Sequence, residues 1–237
     1  RQVQVRFTSD AVRFGDPRLP DPLTADCPAD GKGRWVDTRN WVWDFDDDLP
    51  SGIACRFTPV RNLRDVAGQK IKTAADYRFN TGGPMISDSL PQAGISYSQE
   101  AQVFLVKRNS EVGIMVKPAD RGIAEDQRFM LKLDGAVDEK TIERNAYCLV
   151  QGLNEQVPVH LLTPDEVTQY LNTLPEWKQH WWFSNEASYL QEVMRKPVSR
   201  IIVACQRRFP NEAHVTLVWG RNIAAVSGIA NHDDQLL

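Results

Sequence analysis

A chain of 237 residues with a formal net charge of -3, 42% hydrophobic and 25% charged residues has the balance of an ordinary globular protein and is long enough to bury a sizeable core. Its lysines and arginines are scattered, so the electrostatic footprint of a nucleic-acid or anionic-membrane binder is missing, and no apolar run approaches the roughly 20 residues that cross a bilayer. Four cysteines, none in a CxxC pair suited to zinc or thioredoxin-like redox chemistry, point to disulfides and an oxidising compartment.

In chain order, period-2 alternation dominates. RQVQVRF puts Val3, Val5 and Phe7 on one face, and so reads as a strand at the start of a mature fragment, not as a signal peptide. WVWDF does the same with Trp41, Trp43 and Phe45, and IACRF with Ile53, Cys55 and Phe57. Turn residues punctuate these runs at Gly15-Asp16-Pro17, Pro50-Ser51-Gly52 and Pro210-Asn211, and the strongest break is Thr81-Gly82-Gly83-Pro84, where a domain boundary is expected near Gly83. Beyond it RFMLKL, AYCLVQ, VPVHLL, RIIVAC and HVTLVW continue the strand pattern as half-buried strands. Thr163-Pro164-Asp165-Glu166 breaks it with the signature of a helix N-terminus, followed at helical spacing by Val167, Tyr170, Leu171 and Leu174. A second helical pattern, including Tyr189, Leu190 and Val193, opens at Ser184 and runs to about Lys196, so residues 163–196 read as a helical insertion into a β domain. Residues 41–68 can also be laid without gaps on residues 201–228: Pro50 falls on Pro210, Asn62 on Asn222, Val66 on Val226 and Gly68 on Gly228, as expected of two copies of one β unit.

Each hint of chemistry has a plainer reading. Cys148 and Gln151 have the spacing of an internal thioester, but in a strand they point to opposite sides about 10 Å apart along the chain, and Cys148 shares a phase with Ala146 and Val150. Asp44, Asp46, Asp47 and Asp48 lack the Gly and Glu of an EF-hand loop and read as a solvated turn. His160, His180, His214 and His232 form no HExxH or closely spaced pair, and His160 and His214 fall on the polar phase of their strands. There is no GxSxG elbow, and Thr81-Gly82-Gly83-Pro84 is followed by no Lys-Ser/Thr of a phosphate cradle, so no catalytic, cofactor or metal site is assigned. Trp177, Trp181 and Trp182, with Phe183 beside them, are the candidate contact residues: tryptophans in excess of what a helix pair needs for its own core mark a protein or carbohydrate contact. At least one of the three is expected to be exposed.

The stretches QVQVRFTSDAV, GDPRLPDP, CPADGKGRWVDTRNWVWDFDDDLPSGIACRFT, RDVAGQKI and DYRFNTGGP resemble the N-terminal region of large bacterial α2-macroglobulin-like proteins, and NAYCLVQGLNEQVPVHLL with HVTLVWGRNIAAVSGIA resembles the next domain of those chains. The resemblance implies a periplasmic protein, anchored by lipid to the inner membrane in many members, whose string of β-sandwich domains holds a bait region and traps proteases. Its partners would be neighbouring domains of a longer chain and, through the parent, target proteases, without nucleic acid and without insertion of this segment into the membrane. The family's Cys-Leu-Glu-Gln thioester motif is not carried over, because Val150 stands at its third position here. Residues 94–126 fit the family pattern least and read as an insertion. The expectation is a mainly β chain of two Ig-like or macroglobulin-type sandwiches, 1–83 and 84–237, the second bearing the helices. Only the pairing Cys27–Cys55 and Cys148–Cys205 respects that boundary. The competing expectation is a stand-alone Ig-like adhesion or binding module with the tryptophans as its platform.

Overall fold

The computed structural model describes residues 2–13, 19–91, 122–183 and 199–237 together with the backbone of 96–99 and 102–104. The chain is mainly β and divides into two compact units, Arg1–Thr81 and Gly82–Leu237. In the first unit, β1 (Gln2–Arg6), β4 (Asn40–Phe45) and β3 (Gly31–Trp35) form one antiparallel sheet in the order β1-β4-β3. A second sheet, ordered β2-β5-β6, comprises β2 (Leu23–Asp26), β5 (Ala54–Pro59) and β6 (Tyr77–Asn80). The alternating apolar residues of both meet in one core built on Phe7, Leu23, Trp41, Phe45, Cys55 and Phe57, while Gln2, Gln4 and Arg6 point outward.

The second unit contains β7 (Ile86–Leu90), β8 (Ser96–Gln99), β9 (Gln102–Phe104), β10 (Arg128–Leu133), β11 (Ala146–Val150), β12 (Gln156–Leu161), β13 (Ser199–Cys205), β14 (Val215–Trp219) and β15 (Asp234–Leu236). A one-turn helix, α1 (Ile142–Asn145), precedes β11, and α2 (Pro164–Asn172) and α3 (Glu176–Phe183) lie between β12 and β13. Seven strands run in the order β7-β10-β13-β12-β11-β14-β15, and the ring they make is nearly closed. The last gap is spanned by a side chain: Gln235 Oε1 accepts the Ile86 N–H at 2.7 Å and Gln235 Nε2 donates to the Ile86 carbonyl at 2.7 Å. The carboxamide thereby supplies the donor and acceptor that a neighbouring backbone would, while the β15 backbone pairs with β8 of the β8–β9 hairpin. Inside the ring lie Phe129, Leu131, Leu133, Ala146, Cys148, Val157, Val159, Val203, Leu217 and Trp219.

The two units share one strand plan in the same register. Val3 faces Trp43 and Val5 faces Trp41 in the first; Phe129 faces Val203 and Leu131 faces Ile201 in the second. Ala25 faces Phe57, as Cys148 faces Leu217, and Gly33 faces Trp43, as Leu161 faces Val203. The order β1-β4-β3 thus corresponds to β10-β13-β12, and β2-β5-β6 to β11-β14-β15. Packing compensates across the copies. A Cβ on Gly33 would fall 2.6 Å from the Trp41 ring and 2.2 Å from Asp21 Oδ1, which accepts the Trp41 indole N–H at 2.8 Å. In the second copy smaller residues, Ile201 and Val203, replace the tryptophans, and Leu161 fills the glycine's place.

The turns repeat as well. Asn62 and Asn222 have φ of 59° and 72°, and Gly68 and Gly228 have φ of 80° and 84°. Asp65 N–H donates to the Gln69 carbonyl at 2.9 Å and Ala225 N–H to Ile229 at 2.8 Å; Ile71 donates to Leu63 and Asn231 to Ile223, each at 2.9 Å. Only at the earlier turn does the residue type change: Gly52 adopts φ 82° where its counterpart Glu212 adopts 59°.

Both disulfides join residues of the same unit. Cys27–Cys55 lies between neighbouring strands with Cα atoms 4.4 Å apart. Cys148–Cys205 joins β11 to β13 with Cα atoms 6.1 Å apart, although β12 lies between them. Two strand spacings in a flat sheet would be about 9.5 Å, so the sheet curls tightly here. Disulfides form and persist where thiols are oxidised, which indicates an exported chain. No helix among the described residues is long and apolar enough to cross a membrane.

One expectation about exposure needs correction. RFMLKL and RIIVAC read as half-buried strands, yet Met130 and Ile202, on the outward faces of β10 and β13, are 1% and 0% exposed. The cause is a second apolar layer, in which Leu90, Met130 and Ile202 pack with Leu162, Leu171 and Trp182.

Candidate functional site

The helical layer over β7, β10 and β13 holds the helix signature and the tryptophans singled out by sequence. Thr163 caps α2: its side chain accepts the Glu166 N–H at 3.4 Å, and Glu166 Oε2 accepts the Thr163 N–H at 2.8 Å, with Pro164 in the first turn. Leu171 is buried, and Val167, Tyr170 and Leu174 pack beside it against the sheet. The tryptophans belong to α3, a helix starting at Glu176 that sequence periodicity did not delimit; the helical pattern from Ser184 to Lys196, with Tyr189, Leu190 and Val193, lies outside the described residues. Trp182 is 7% exposed and part of the apolar layer, Trp181 packs partly buried against it, and Trp177 is 60% exposed.

The outward row of β10, Arg128-Met130-Lys132, was not singled out by sequence. Arg128 holds its guanidinium 4.6 Å from the centre of the Tyr170 ring, and Lys132 its ammonium 4.1 Å from that of Trp181. Two cations on one strand thus each meet an aromatic ring of the helical layer. Asp88, facing Lys132 across the β7–β10 pair, accepts the Trp181 indole N–H through Oδ2 at 3.2 Å, and Arg200 faces Lys132 from β13. Lys132 is 1% exposed, and its Nζ has no hydrogen-bond partner among the described residues. Desolvation pulls its pKa below the ordinary lysine value, Asp88 opposes that shift, and Arg200 adds to it. A buried, weakened amine is a chemically useful group, but the covering Trp181 and the 1% exposure leave it out of reach of a substrate. Its ammonium instead lies over the Trp181 ring, between the sheet and the helical layer.

At the other end of the layer His160 stands between two carboxylates, with Nδ1 3.3 Å from Glu143 of α1 and Nε2 3.1 Å from Glu166 of α2. The polar phase read for His160 is correct, but its ring contacts these acids as well as solvent. Hydrogen bonds from Thr163 backbone and side chain, and then from His160, hold the Glu166 carboxyl down to about 2. Glu143 also accepts the Leu161 N–H at 2.9 Å, so the three side chains tie α1, β12 and α2 together.

The remaining candidates resolve into structural roles. Cys148 is 0% exposed and bonded to Cys205, while the Gln151 carboxamide is turned toward the His214 N–H at 3.4 Å. Thiol and carboxamide are therefore not joined. Asp44, in the acidic run, accepts from Gln2 at 2.7 Å and from Arg34, and these bonds, that from Arg34 foremost, lower its pKa. Among the described residues no group of three or more His, Cys, Asp or Glu side chains is disposed to hold a metal ion. No family model, curated protein or solved structure matches the chain.

Proposed function

We propose that the chain is a non-catalytic pair of N-terminal β domains from a periplasmic, α2-macroglobulin-like protease trap, with the whole anchored by lipid to the inner membrane. The two units are Ig-like or macroglobulin-type sandwiches, the second carrying its helices at 163–196 as an insertion. The observation that carries this reading is the shared register of two successive units, the arrangement expected of a string built by repeating one domain. Support comes also from the motif resemblance and from one disulfide in each unit, suited to an oxidising periplasm. In such a string these domains space and position the bait region supplied elsewhere in the chain.

The test uses the complete parent polypeptide encoded around residues 1–237. Incubated with a broad-specificity protease, the parent should block digestion of a folded protein substrate while sparing hydrolysis of a small chromogenic peptide. Residues 1–237 alone should do neither. Stoichiometric inhibition by residues 1–237, or a parent that shields no substrate, would sink the reading. Trp177, 60% exposed, favours a second one: a stand-alone adhesion or carbohydrate-binding module with this ring as its platform. That alternative requires saturable binding of a glycan or protein ligand that Trp177→Ala abolishes.

A further inference from the structure

The correspondence between the units leaves β7, β8 and β9 of the second without counterparts in the first, and of these β7 is the one that flanks β10. In the second unit β10 is flanked by β13 on one side and by β7 on the other, with Met130 facing Leu90 and Lys132 facing Asp88. Its equivalent, β1, is flanked by β4 alone and ends its sheet among the described residues. Phe7 N–H donates to the Arg39 carbonyl on the β4 side at 2.8 Å. Because strand groups alternate in direction, the N–H and C=O of Gln4 and Arg6 therefore face away from β4. Burial records the same vacancy. Phe129 and Leu131 are 6% and 0% exposed, whereas their counterparts Val3 and Val5 are only partly buried. Ile86 of β7, facing Leu133, adds a side chain to the interior of the second unit, and no strand among the described residues stands in the corresponding place beside Phe7.

We propose that the free edge of β1 accepts a seventh strand, antiparallel to β1 and supplied by polypeptide upstream of Arg1 in the same chain. The source follows from the repeat: β7 lies upstream of the six strands it joins, so the corresponding strand of the first unit precedes β1. Its chemistry follows from the register. An apolar side chain faces inward opposite Phe7, as Ile86 does opposite Leu133, and a polar or acidic one faces outward opposite Arg6, as Asp88 does opposite Lys132. The outer face needs no apolar residue there, since its neighbours are Gln4, Arg6 and Asp44, the last already bonded to Arg34 and Gln2. The inference rests on the chain being a segment of a longer protein.

Residue-resolved amide hydrogen exchange on residues 1–237 and on the parent tests it. Gln4 and Arg6 amides should exchange freely in residues 1–237 and at least about 100-fold more slowly in the parent. Gln4→Pro removes only an outward N–H, so it should leave the far-ultraviolet circular dichroism of either chain unchanged and return Arg6 in the parent to free exchange. Equal exchange at Gln4 and Arg6 in both chains would overturn the inference while leaving the protease-trap reading untouched. A reading frame with no polypeptide ahead of Arg1 would overturn the upstream strand without deciding what the parent does to proteases. Protection in residues 1–237 that grows with concentration would assign the edge to a second copy and overturn the upstream strand.

Discussion

Gln235 gives the sharpest test of how the second unit closes. Its side chain is 0% exposed and satisfies both backbone groups of Ile86 at 2.7 Å. Gln235→Leu keeps the approximate volume but leaves a buried N–H and a buried C=O without partners. Each orphaned group costs about 1–3 kcal/mol, and the added apolar burial returns part of that, so a net loss of about 2–4 kcal/mol is expected. Gln235→Glu separates hydrogen bonding from shape. An ionised carboxylate accepts from the Ile86 N–H but meets the Ile86 carbonyl with charge, whereas a protonated carboxyl restores one donor and one acceptor. The folded state therefore binds the proton more tightly than the unfolded chain does, and the glutamate pKa in the folded variant lies above its unfolded value of about 4.3. Stability of Gln235→Glu should be closest to wild type below that value and be lost as pH rises through the folded pKa. Urea unfolding at about pH 3.5 and about pH 7.5, read with hydrogen exchange at the Ile86 amide, measures both effects. A Gln235→Leu protein within 0.5 kcal/mol of wild type and with Ile86 still protected would refute the closure argument.

Four further outcomes follow from the same contacts. Gly33→Val should destabilise the first unit by about 1–3 kcal/mol, because the new side chain must displace the Trp41 ring or Asp21, and thermal unfolding checks this. Non-reducing peptide mapping should recover Cys27–Cys55 and Cys148–Cys205, and methylamine should add no mass at Gln151; removal of the bridges, with separations of 28 and 57 residues, should cost at most about 3.6 and 4.2 kcal/mol by chain entropy. Lys132→Met should raise the melting temperature at pH 7; because the folded lysine pKa is lowered, wild-type stability should rise with pH up to the unfolded lysine value, a gain the variant lacks. Glu166, held down to about 2, contributes stability that is present above its unfolded value near 4.5 and lost as pH falls between the two, so Glu166→Gln should flatten the acid limb of a pH–stability profile.

Much of this architecture was legible because it rests on local signals. Alternation at Val3, Val5 and Phe7 and at Trp41 and Phe45 located strands whose inner faces are core, and the capping pattern at Thr163–Glu166 located the start of α2. The ungapped match between residues 41–68 and 201–228 carried information beyond any one column, because positive φ is needed at the same places, Asn62 with Asn222 and Gly68 with Gly228. Residues whose roles are set by distant neighbours were not legible. Nothing in the run Asp233-Asp234-Gln235-Leu236-Leu237 marks Gln235 as a strand surrogate: its partner, Ile86, is fixed only when the ring curls. Lys132 reads as the solvent phase of RFMLKL, and becomes buried only because the β12–β13 connection, residues 36–39 in the first copy's hairpin, is 162–198 in the second and carries α2 and α3. The α3 boundaries escaped for a related reason, since Trp177 faces out while Trp181 and Trp182 face in, leaving no clean apolar stripe.

The shared strand plan of the two units is tested most directly by backbone nuclear Overhauser contacts between strands in a uniformly labelled, perdeuterated sample of residues 1–237. The account predicts contacts pairing Val3 with Trp43 and Val5 with Trp41 in the first unit, matched by Phe129 with Val203 and Leu131 with Ile201 in the second. A register shifted by even one residue in either pair, or β1 found beside a strand other than β4 in residues 1–237, would contradict it.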